Sequence, residues 1–215
     1  MRRLNVHKNQ GFTLLEILVA LAITGIFAVL TGPNLLAWLN SNTVQQAADS
    51  IQSALEDAQR QAIRLGRNCT INFTNPTGNN PTVYSRITAS EAGCLVATNT
   101  NAGSLSLPQE IFMVVRNFPN VPTTGTSPGV QFSFRGHVPD LNFEPPQNQA
   151  IIVLYPAANA SADPYPNQEK KCLVIASLLG IIKQGTYNDT SLTNRASLTN
   201  LDASKCQISL DGTQP

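Results

Sequence analysis

The sequence predicts an α+β chain in which a long N-terminal helix, half transmembrane and half amphipathic, packs on an antiparallel β-sheet. Three observations carry that expectation. Residues 12–31 are almost wholly apolar and helix-compatible. Apolar residues then recur at alternating spacings of four and three over 44–65, which marks one face of a helix. After Gly66 that period is lost, and short strand-like runs alternate with segments rich in Asn, Thr, Pro and Gly.

The first helix half is read from its length and flanks. About 20 apolar residues cross a bilayer, and 12–31 meets that length. Arg2, Arg3 and Lys8 precede it. Basic flanks stay cytoplasmic, so the expected topology is a single-pass membrane anchor with its N-terminus inside and its C-terminal bulk exported. A cleaved secretory signal needs a small-residue site after its apolar core, whereas Ala20-Leu21-Ala22 lies mid-run and Thr31-Gly32-Pro33 ends the run poorly. Glu16 is the anomaly. A carboxylate in a spanning helix costs roughly 2.5–3.5 kcal/mol, so it reads as functional and in need of a partner.

Gly32-Pro33 predicts a helix kink or local melting, because proline lacks an N–H and crowds the carbonyl of Val29. The amphipathic half, 32–66, then carries its stripe on Val44, Ala48, Ile51, Leu55, Ala58, Ala62 and Leu65. A helix over 12–65 would reach roughly 80 Å at about 1.5 Å per residue. That exceeds a membrane crossing, so its second half projects outward and packs its stripe. Gly66 suits a terminator, and Glu56 and Arg60 are spaced for an i,i+4 pair on a solvated face with Arg64 and Arg67.

The exported β-rich domain is 67–215. Strands are predicted at 69–74, 82–88, 94–97, 111–115, 130–134, 151–155, 172–176 and 205–209, with the turn-rich 75–81 joining the first two as a hairpin. The runs 151–155 and 173–176 are continuously apolar, as expected of central strands covered by the helix stripe. Segments 98–110, 119–129, 156–171 and 184–204 are expected to be long surface loops.

Composition agrees with this layout. The 215 residues suit one domain plus an appendage. Charged residues are 13%, about half the usual share, which fits an extracellular, loop-rich β domain. The net charge of +1 includes the three leader cations; without them 11 basic residues face 13 acidic ones, near −2. Cys69, Cys94, Cys172 and Cys206 form an even set on the exported side without zinc-like spacing, which predicts two disulfides. Of three connectivities, Cys69 with Cys94 and Cys172 with Cys206 is favoured because each closes a short segment.

Lys8-Asn9-Gln10-Gly11 followed by Phe12-Thr13-Leu14-Leu15-Glu16 resembles the leader of type IV prepilins and pseudopilins. The resemblance implies that residues 1–11 are a leader peptide, cut between Gly11 and Phe12 by prepilin peptidase, with methylation of the new Phe12 amine. It implies as partners the other pilin or pseudopilin subunits, an inner-membrane assembly platform, and membrane lipid before assembly; the destination is a pilus at the cell surface or a type II secretion filament. Cleavage would leave an ammonium on Phe12, four residues from Glu16. A Glu16 from one subunit paired with the Phe12 ammonium of its neighbour would offset burial and set the assembly register.

The order of elements, with Val130-Gln131-Phe132-Ser133-Phe134-Arg135-Gly136 and Cys172-Leu173-Val174-Ile175-Ala176-Ser177 in the second half, is similar to the GspH and FimT type of minor pilins and pseudopilins. Members of the FimT kind carry a Gly-Arg after the late strand that serves DNA uptake. Here Gly180 is followed by Ile181 and Ile182, which argues against a DNA-binding minor pilin in a DNA-uptake filament.

Other functions are weakly supported. The expected mature chain has a single histidine, His137, and no nucleophile elbow, phosphate loop or HExxH, so no catalytic residue is assigned and the chain is read as a non-enzyme. The spacing of Asp163, Glu169, Asp189, Asp202 and Asp211 fits no calcium loop, and no metal site or cofactor is expected. A mature charge near −2 offers little attraction for nucleic acid; only a local patch at Arg60, Arg64 and Arg67, or at Lys170 and Lys171, would serve.

Overall fold

The computed structural model describes residues 12–75, 83–96, 103–119, 127–141, 149–159, 162–165, 168–175, 178–189, 194, 197–198 and 201–208, without the side chains of 28–37. Among the described residues the order is one α-helix and nine strands, with a single 3-10 turn (Ala203–Lys205) before the last strand: α1 (Leu14–Leu65), β1 (Cys69–Thr74), β2 (Arg86–Ala89), β3 (Ser104–Ser106), β4 (Ile111–Arg116), β5 (Gly129–Phe132), β6 (Ala150–Pro156), β7 (Lys171–Ile175), β8 (Ile182–Tyr187) and β9 (Cys206–Ile208). The chain divides into two compact units, Met1–Leu39 and Asn40–Pro215.

The α1 helix is assigned without a break over 52 residues. Gly32 and Pro33 lie within it, so the helix does not melt there; the side chains that would report the predicted kink are outside the described residues. In the first unit the described apolar side chains from Leu14 to Phe27 are exposed. Thr24 tolerates this sequence because its hydroxyl donates to the Ala20 carbonyl at 2.9 Å, satisfying its polar group within the helix. Among the described residues no helix is long and apolar enough to cross a membrane. Within the predicted 12–31 span the described side chains stop at Phe27, about 16 residues or about 24 Å of helix, and a hydrocarbon core is about 30 Å thick.

In the second unit, α1 supplies Val44, Ala47, Ala48, Ile51, Ala54, Leu55, Ala58 and Ala62 to the main core. The stripe is therefore the predicted one widened by two alanines and shortened by Leu65, which is 42% exposed. The helix ends at Leu65 in a Schellman arrangement: Gly66 has φ +65°, its N–H reaches the Ile63 carbonyl, and the Arg67 N–H reaches Ala62. The expected Glu56–Arg60 pair does not form; Glu56 instead accepts from Gln52 Nε2 at 2.8 Å.

Two antiparallel sheets replace the single sheet anticipated. Their orders are β3-β2-β1-β5 and β4-β6-β7-β8-β9, with Tyr84 and Met113 forming a bridge between the two groups. Strand β1 falls at the predicted 69–74, but 94–96 is not a strand, and β3 and most of β8 arise in segments expected to be loops. Both are polar or glycine-containing, Ser-Leu-Ser and Ile-Lys-Gln-Gly-Thr-Tyr, so pairing partners rather than their own apolar pattern define them.

The continuous apolar runs of β6 and β7 are explained by two cores. Ile152, Leu154, Leu173 and Ile175 join the helix-side cluster, while Ile151, Val153, Tyr155, Cys172 and Val174 join a second cluster with Leu198, Leu201 and Cys206. One face of these strands is thus covered by α1. The other is covered by the segment before β9. Disulfides join Cys69 to Cys94 and Cys172 to Cys206, and the second bridge sits in that outer cluster.

Candidate functional site

The residues singled out at the start of the chain gather at the entrance to α1. Gly11 lies outside the described residues. Phe12 is 79% exposed and precedes Thr13, whose side chain caps the helix by accepting from the Glu16 N–H at 3.2 Å. The Thr13 carbonyl also accepts from Glu16 and Ile17. Glu16 occupies the first turn, where the unpaired N–H groups and macrodipole favour a carboxylate. Thr13-Leu14-Leu15-Glu16 has capping-box spacing, a sequence signal additional to the membrane argument. The helix begins at Leu14, so Phe12 precedes the cap and Glu16 follows it.

The five basic residues do not form one patch. Arg60 and Arg64 are exposed on the last turns of α1, and Arg67 donates to the Ala92 carbonyl. Lys171 pairs with Glu169 at 2.6 Å, and Glu169 accepts from Ser41. Nineteen helix positions separate Ser41 from Arg60, roughly 28 Å at about 1.5 Å each. Burial holds the Lys170 ammonium below its usual range, partly offset by Asp189. Among the described residues no group of His, Cys, Asp or Glu is arranged to hold a metal ion. His137 bonds Ser133 Oγ through Nδ1 at 2.7 Å inside a turn where Ser133 N–H also reaches the His137 carbonyl; the pair closes that turn.

A polar clamp was invisible in the sequence. Gln59, beside the buried stripe, donates from Nε2 to the Gly136 carbonyl at 2.6 Å and to the Leu179 carbonyl at 2.9 Å. It fixes two loops against the last turns of α1. No local motif encodes it, because its acceptors lie 77 and 120 positions away.

Two family models match. The prokaryotic N-terminal methylation motif covers residues 6–32, so it spans Gly11, Phe12 and Glu16, and the type II transport protein GspH model covers residues 47–178, more than half of the chain. The chain belongs to the GspH family. Its family is that of type II transport pseudopilins, structural subunits that assemble with other pilin-type subunits, and its methylation motif is the one that prepilin peptidase processing goes with. No curated protein matches the chain in sequence. Among solved structures, it is similar to the minor pseudopilin EpsH of the Vibrio cholerae type 2 secretion system, at 11% identity and a TM-score of 0.44, covering 68% of this chain and 98% of that one. It is also similar to the Pseudomonas aeruginosa type IV minor pilin FimU, at 13% identity and a TM-score of 0.41, covering 66% of this chain and 87% of that one.

Proposed function

We propose that this GspH-family chain is cut between Gly11 and Phe12 by prepilin peptidase, methylated on Phe12, and inserted into a type IV pilus-like or type II secretion filament through α1. In this reading residues 1–11 are the leader, 12–31 anchor the subunit in the inner membrane before assembly, 32–66 carry the amphipathic half, and 67–215 form the periplasmic domain. The observation that carries it is Glu16, a carboxylate in the first turn of a helix whose described apolar side chains through Phe27 are exposed. That surface must be covered by lipid or by other helices. Removal of Gly11 would place an ammonium beside the capped entrance. An incoming Glu16 would then meet a neighbour's Phe12 cation in low dielectric, while an unpaired Glu16 would be penalised.

The test is made in the native host. Gly11→Ala should leave the leader attached, read as retained mass on the chain and an unmethylated N-terminus. Glu16→Ala should be processed and methylated normally yet recovered in sheared filaments at a small fraction of the wild-type amount. Normal incorporation of both variants would refute the proposal.

A further inference from the structure

An exposed apolar patch lies where the last turns of α1 meet two loops of the second unit. Ile63, Phe134, Leu178, Leu179 and Ile181 are between 49% and 68% exposed. They are held together by specific contacts. The Gln59 clamp binds the carbonyls of Gly136 and Leu179, and the Val138 N–H donates to the Leu178 carbonyl at 2.9 Å. A Cβ added at Gly136 would stand 2.9 Å from Ile63 Cδ1, and one added at Gly180 would stand 3.3 Å from the Gly136 carbonyl oxygen. Both glycines have positive φ, so the loops approach as closely as only glycine allows. Hydrogen bonds and two constrained turns thus hold large aliphatic side chains toward solvent.

The rim of this patch is basic. Arg135 lies 5.3 Å over the Phe134 ring. Arg60 and Arg64 stand three residues before and one after Ile63 on the same helix, both exposed. The nearest helix carboxylates are engaged elsewhere: Glu56 accepts from Gln52, and Asp57 accepts from the Val96 N–H at 3.3 Å.

We propose that this patch docks a different protein subunit of the same filament, one presenting an apolar surface edged with carboxylates. The proposal rests on the filament-subunit reading above. Charge decides between partners. Two copies meeting patch to patch would bring Arg60, Arg64 and Arg135 against their own counterparts, and like charges across an interface are penalised. Among the described residues of the second unit, the other exposed large apolar side chains are Leu65 and Val96, so the described part of that unit in a second copy offers no comparable surface for a head-to-tail contact. Nucleic acid is disfavoured because the centre is aliphatic, and its one ring, Phe134, is already covered by Arg135.

The experiment places a photoreactive benzophenone side chain at Leu179 in the full chain, in cells making the complete filament, with Asp49 as control position. The expected product is an adduct with another pilin-type subunit, mapped to a segment containing Asp or Glu and absent from the control. Its yield should fall about tenfold in the triple variant R60E/R64E/R135E, since three exposed charge pairs are lost. Leu179→Ser, with the probe moved to Phe134, should lower the yield while leaving the rim intact, which covers the case of a triple variant that fails to fold. An adduct only with a second copy, with phospholipid or with nucleic acid, or equal yields at both positions, overturns the proposal. Leader removal and filament recovery are measured in the same cells. A processed, incorporated chain without a Leu179-specific adduct refutes the patch alone, whereas an uncut chain absent from filaments refutes the underlying function.

Discussion

Ser41 Oγ donates to Glu169 Oε2 across 2.5 Å, joining α1 to the residue two before the start of β7 over 128 positions of sequence. The same carboxylate holds Lys171 Nζ at 2.6 Å and accepts from Thr186 Oγ1 at 3.2 Å. One side chain therefore ties the helix near Asn40 to β7 and β8.

This cluster makes stability pH-dependent. Burial raises the Glu169 pKa, but the Lys171 and Ser41 hydrogen bonds, the Lys171 charge and the Thr186 bond outweigh it and hold the carboxyl below its ordinary value of 4.5. A folded pKa below the unfolded one gives stability that is present above the unfolded value and lost as pH falls through the folded one. Glu169→Gln should cost about 1 kcal/mol at pH 7 and should flatten the loss of stability below about pH 4. Urea midpoints of the whole chain in detergent, measured from pH 7 to pH 3, check both. An unchanged midpoint at pH 7 would contradict the assignment.

Ile51 is fully buried at the centre of the helix stripe. Ile51→Ala removes three carbons from a site walled by both sheets and should cost about 3 kcal/mol. Leu65→Ala, at a stripe position that the structure leaves exposed, should cost less than about 0.5 kcal/mol. Comparable losses for the two would show that the core does not end at Ala62.

Cys172–Cys206 closes a loop of sequence separation 34 and pins the segment that covers the outer face of β6 and β7. Cys206→Ser should cost about 3 kcal/mol and should make residues 198–208 the first site of proteolysis, with α1 still protected. Uniform proteolysis of the variant would show that the two cores do not behave as separate layers.

Gly185 faces β9 so closely that a Cβ would lie 2.2 Å from the Gln207 carbonyl oxygen, a contact with backbone that cannot swing away. Gly185→Ala should cost about 2 kcal/mol and strip β9 from the sheet. Amide exchange at Tyr187 and Ile208 should accelerate while that at Ile152 stays slow. Unchanged exchange of β9 would refute the close approach.

Thr13→Ala removes the side-chain acceptor for the Glu16 N–H and should cost about 1 kcal/mol of local helix stability. The change should appear as faster amide exchange confined to the first turn of α1, with the Asn40–Pro215 unit unaffected.

Local patterns carried a large part of this protein. The 4,3 spacing from Val44 to Ala62 identified a helix face because a 3.6-residue period is imposed by backbone geometry alone. Gly11, Phe12 and Glu16 stood out because a lone carboxylate in an apolar run is costly in a membrane, and Cys69–Thr74 alternated and branched as strands do. The misses share one cause. Ser104–Ser106 and Ile182–Tyr187 lack an apolar pattern and become strands through their neighbours, and 94–96 looks like a strand but is held in a turn, its Cys94 bridged to Cys69.

The sequence by itself determined the helix, the N-terminal methylation motif and most of the strands, since each of these is written within a few turns or a few alternations of chain. Only the tertiary structure decided that the strands divide into two sheets, that β6 and β7 are buried between α1 and the C-terminal segment, and that Gln59 and Glu169 tie α1 to distant loops. Those contacts join residues up to 128 positions apart, and a hydrogen bond at that range leaves no periodic trace in either partner's neighbourhood.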